Sequence, residues 1–152
     1  MIEHYVKVLK EIQALQEKLS AIDQTEKSVR NEIKQLESRK SELEKQKATY
    51  ESQIKTLLLL EQNKQRIDNR IMASVESDIV KLYEEQNHIE SKTASTNRLI
   101  DEKTQICDIL SSKRAECVNR LKRLYVKRDL FQDSLISIYD KGEQPNIKAK
   151  VM

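Results

Sequence analysis

The chain has 152 residues, 35% of them charged and only 4% aromatic, with no tryptophan and a net charge of +3. That is too little bulky apolar material for a globular core of this length, though enough for a seam between helices, and so balanced a charge does not by itself point to nucleic acid. The single glycine and single proline, Gly142 and Pro145, stand close together near the C-terminal end. Inside a helix they would cost about 1 and 3 kcal/mol, so everything before them is free to stay helical.

The first element is read from its heptads. Tyr5, Ile12, Leu19, Glu26, Ile33, Lys40, Lys47 and Ile54 fall at one core position, and Val8, Leu15, Ile22, Val29, Leu36, Leu43, Tyr50 and Leu57 at the other. Only Glu26, Lys40 and Lys47 are charged, and the flanking residues are mostly Glu, Lys, Gln and Ser, which is the coiled-coil pattern. The register fails after Leu57, where the same count would bring Glu61, Lys64 and Asp68 into the core.

Residues 61–70 hold one apolar side chain, Ile67. A phase change there is either a stutter in one long helix or a turn that folds the chain back on itself. The turn would have to use Asn63, Asp68 or Asn69, since no glycine or proline is at hand.

A second register starts at Met72 and runs through Val75, Ile79, Leu82, Ile89, Ile100, Cys107, Leu110, Cys117, Leu121, Leu124, Phe131 and Leu135 to Ile138. Its exceptions are Gln86, Thr93, Thr96, Lys103, Arg114 and Arg128. In a parallel homodimer each charged core residue would meet its own copy, giving several like-charge layers. An antiparallel hairpin avoids this. One permitted hairpin pairs residues whose numbers sum to 129, setting Glu26 opposite Lys103, Arg114 opposite Leu15, Lys40 opposite Ile89 and Lys47 opposite Leu82, with the turn centred near 64 and 65. The stop signal of Gly142 and Pro145 follows. The expected fold is therefore all-α: a long antiparallel two-helix coiled-coil hairpin with a short disordered C-terminal tail. Its parts are a first helix 2–61, a turn 62–70, a second helix 71–141 and a tail 142–152.

In that register residues 129–140 overhang, and their Leu130, Phe131, Leu135, Ile136, Ile138 and Tyr139 need cover, from a weak homodimer or from another protein. Beside them, 113–128 carries Lys113, Arg114, Arg120, Lys122, Arg123, Lys127 and Arg128 against one acid, Glu116. Such a run is either a solvated helix face or an electropositive collar for an acidic protein surface. Nucleic acid is the weaker reading, because the stretch contains a single aromatic, Tyr125, and no recognition element. The expected partner-binding residues are Arg120, Arg123, Lys127, Leu130, Phe131, Leu135 and Tyr139.

No catalytic, cofactor or metal site is expected. His4 and His88 are the only histidines, and no HExxH, CxxC, phosphate-loop or dinucleotide-binding spacing occurs. Cys107 and Cys117 lie at seam positions as core filling; ten helical residues separate them by about 15 Å, beyond disulfide reach. The longest apolar run, Leu57 to Leu60, is far short of a membrane span. The first ten residues do not resemble a signal peptide, so a cytoplasmic location is expected.

An N-terminal arm opening MIEHYVKVLKEIQALQEKLSAIDQTEKSVRNEI, a Glu/Lys/Gln-rich middle, the basic return arm SSKRAECVNRLKRLYVKRDLF and a short tail resemble the type III secretion central-stalk family, the FliJ and YscO-like components of flagellar and injectisome export machines. The resemblance lies in length, hairpin layout and charge style, with no sharp motif. It implies a non-catalytic stalk in the pore of a hexameric export ATPase, contacting the export-gate protein at the base of a membrane secretion complex, with secretion chaperones as further partners. The alternatives are a structural or tethering coiled-coil rod and a chaperone arm of another assembly.

Overall fold

The computed structural model describes the backbone of residues 2–63 and 68–151 and the side chains of 2–63 and 68–140. Two helices account for it, α1 (Ile2–Gln62) and α2 (Asn69–Val151), packed against each other as an antiparallel coiled-coil hairpin. The expected turn centre at 64 and 65 lies outside the described residues, but both of its shoulders are visible. The Asn63 N–H donates to the Leu60 carbonyl at 3.1 Å, a tightened last turn, and the Asp68 carboxylate accepts from the Arg70 N–H at 3.3 Å. Asp68 is thus the N-cap of α2, satisfying one of the amide donors that a helix start leaves over. At the other end α2 extends to Val151, past Gly142 and Pro145. Both residues penalise helical backbone without forbidding it; side chains of 141–152 lie outside the described residues.

The heptad positions are the buried ones. Every core position read from Tyr5 to Leu57 and from Met72 to Leu135 is buried or half-buried, the polar exceptions included, whereas Ile138 is exposed. Glu26 and Thr96 are buried among them, each 4% exposed.

The chain divides into two compact units. One comprises Met1–Ser28 and Cys107–Met152; here Val8, Ile12, Leu121 and Leu124 form the buried cluster, with Leu15, Leu19, Tyr125 and Phe131 packed on it. The Gln16 amide donates to the Tyr125 hydroxyl at 2.9 Å, and Arg114 reaches both Asp23, at 2.7 Å, and Glu26. The other unit is Val29–Ile106. In it Lys103 pairs with Glu32, Lys47 lies 3.8 Å from Glu90, and the Gln86 amide donates to Glu51 at 3.4 Å.

These pairs correct the expected register. Partner numbers sum to between 135 and 141, and core positions can face core positions only at sums that differ by seven from 129, so the facing sum is 136, which sets Ile12 level with Leu124 and Leu15 with Leu121, all four in one cluster. The seam is shifted by one heptad. Glu26 lies level with Leu110 and bonds Arg114, four residues further along α2, in place of Lys103, Lys40 faces Thr96 in place of Ile89, and Lys47 faces Ile89, beside Glu90, in place of Leu82. A seven-residue shift leaves core positions facing core positions, most of them apolar, so hydrophobic burial separates the two registers weakly. The charged exceptions decide. In the observed register Arg114, level with Ile22, reaches two carboxylates and Lys103 reaches Glu32; the expected one would have given Glu26 to Lys103 and laid Arg114 over Leu15. The shift also carries Phe131 onto the cluster formed with Val8 and Ile12, so the expected overhang is shorter than the sequence implied.

Candidate docking surface

The basic stretch belongs to the unit made of Met1–Ser28 and Cys107–Met152. Two of its seven cations are engaged within the hairpin. Arg114 is held by Asp23 and Glu26, while Arg128 stacks over the Tyr125 ring at 4.9 Å and pairs with Asp129 at 3.2 Å. Lys113, Arg120, Lys122, Arg123 and Lys127 are exposed and make no ion pair with a described residue.

Helical spacing sorts these five. Lys113, Arg120 and Lys127 recur every seven residues on the flank just before the seam, and Arg123 lies between the last two on the same face. Lys122 points to another side. A groove runs along this face between the helices, lined by Arg120, Arg123, Lys127, Asn119, Glu116, Leu124 and, from α1, Glu11. Glu11 is the one acid that α1 contributes to it, against three cations from α2.

The expected partner-binding residues are thus divided by the fold. Arg120, Arg123 and Lys127 converge on the groove. Leu130 is 63% exposed and follows Lys127 by three residues on the same face. Phe131, in contrast, packs against the seam cluster, and Leu135 is half-buried at the next core position, so the one-heptad shift takes Phe131 out of the expected overhang. Tyr139 is exposed but lies on the opposite flank. Sequence reasoning missed Glu11, whose place depends on the register, and Ile109, an exposed residue in phase with Lys113 and Arg120 that a second heptad count along α2 would have found.

Among the described residues no group of three or more His, Cys, Asp or Glu side chains is arranged to hold a metal ion, and Cys107 and Cys117 are buried free thiols. No described helix is long and apolar enough to cross a membrane. What the surface offers is a line of solvated guanidinium and ammonium groups beside aliphatic side chains, suited to carboxylates on a complementary protein. Comparison with protein-family models, curated proteins and solved structures finds no match to this chain.

Proposed function

We propose that the chain is a non-catalytic coiled-coil stalk of a type III secretion or flagellar export apparatus, docking in the pore of the export ATPase ring and linking it to the export gate on the cytoplasmic side of the membrane. The observation that carries this reading is the groove flank: three cations, Arg120, Arg123 and Lys127, with no ion-pair partner among the described residues, beside the exposed Leu130. Such an arrangement supplies salt-sensitive encounter from the charges and affinity from the apolar contact. The hairpin layout and the resemblance of its arms to the central-stalk family supply the identity of the partner.

The test is affinity capture from the native cell with the intact chain and with its Arg120→Glu, Arg123→Glu variant. A hexameric ATPase and an export-gate protein should be recovered by the former and lost with the latter. Recovery of filament or tether components with no ATPase would favour the rod reading and refute this one.

A further inference from the structure

Ile109, Lys113, Glu116, Arg120, Arg123, Lys127 and Leu130 follow one another on α2 at spacings of four, three, four, three, four and three residues, and all are exposed. That alternation is the spacing of a coiled-coil seam, and it is distinct from the buried seam of the hairpin, which uses Leu110, Arg114, Cys117, Leu121, Leu124 and Arg128. Any lengthwise stripe of a helix repeats at these steps, so the distinguishing feature of this one is what it carries. From Ile109 to Leu130, over about 30 Å at 1.5 Å per residue, it has an aliphatic residue at each end (55% and 63% exposed) and cations at four of the five positions between.

We propose that this stripe is a second seam, and that its occupant is an acidic amphipathic helix of a partner protein, laid along α2 as a third strand. The inference rests on reading this unit as a docking surface, but not on which machine the partner belongs to. Charge complementarity names the occupant. Carboxylates at heptad spacing meet Lys113, Arg120, Arg123 and Lys127, aliphatic side chains meet Ile109 and Leu130, and a basic or amide residue meets Glu116. A second copy of the chain would set cations against cations. A single-stranded nucleic acid would use aromatic stacking as well as charge, and the nearby Tyr125 is committed to Gln16 and Arg128; a duplex, held by its phosphates alone, would leave Ile109 and Leu130 without apolar contact.

Two labelled synthetic helices, one for each chain direction, carry Leu at the end positions, Glu at the four facing the cations and Lys at the one facing Glu116. Fluorescence anisotropy with the full chain reads their binding at about 0.1 M salt, where charges beyond about 10 Å are screened. One direction should bind at least ~10-fold more tightly than a peptide of identical composition whose acids are moved off the stripe. Arg120→Glu with Arg123→Glu should remove at least ~10-fold, and Leu130→Ser about 5-fold, with helicity by circular dichroism unchanged. Equal binding of the shifted-acid peptide would overturn the inference, as would absence of binding in both directions. So would tighter binding of a 20-base-pair duplex through the same arginines, or a dimer in sedimentation that the charge reversal dissolves. The assay contains no export component: peptide binding with failed ATPase capture refutes the stalk function alone, and ATPase capture without peptide binding refutes the third-strand helix alone.

Discussion

The register predicts a specific pattern of energetic coupling. Glu26 is 4% exposed at a core position, and Arg114 reaches it and Asp23 from the facing helix. Exposed pairs couple by about 0.2 to 1 kcal/mol, and breaking a fully buried pair costs about 3 to 5 kcal/mol. The Arg114 side chain is about one-third exposed, and Asp23 is half solvated, so the coupling between Glu26 and Arg114 belongs between those limits, at about 2 kcal/mol. The perturbation is a double-mutant cycle of Glu26→Gln and Arg114→Gln, with a parallel cycle of Glu26→Gln and Lys103→Gln. Helicity followed through urea unfolding reports each variant. With a slope of about 2 kcal/mol per molar urea, either member of the Arg114 cycle should lower the midpoint by about 1 M, and the double variant should lose little more than one single. The Lys103 cycle should be additive to within about 0.5 kcal/mol, because Lys103 pairs with Glu32. A larger coupling of Glu26 to Lys103 than to Arg114 would place the seam one heptad back and refute the register.

Phe131→Ala together with Leu135→Ala should cost about 3 kcal/mol, since Phe131 packs on Val8, Ile12, Leu121 and Leu124 and both residues are half-buried, which puts each near half of a full core truncation; a thermal melt unchanged from the parent would show them to be surface residues after all. Cys107 and Cys117, 8% and 4% exposed, should react with a thiol reagent only when the hairpin opens, so that labelling slows about tenfold for each ~1.4 kcal/mol of added stability; rapid labelling of the folded chain would show that the seam around them is loose.

The positions of the seam were legible in the residues alone, because a helix that avoids glycine and proline and repeats apolar side chains at three- and four-residue steps has one face to bury. Tyr5 to Leu57 and Met72 to Leu135 were read from that period, and each residue so read is buried or half-buried. So was the fold-back, since the phase fails within 61–70 and α1 ends at Gln62 and α2 begins at Asn69 inside that stretch. The pairing of the two arms was not legible. A heptad pattern looks the same after a shift of seven, and apolar layers accept one another in either register. Only the charged side chains distinguish the two, and their reach across the seam exists only once both helices are in place. That choice fixed the fate of the surface as well. It gave Arg114 to Asp23 and Glu26 and drew Phe131 into the core. It also set Glu11 beside Arg120, Arg123 and Lys127, so the tertiary pairing decided which part of the basic stretch faces a partner.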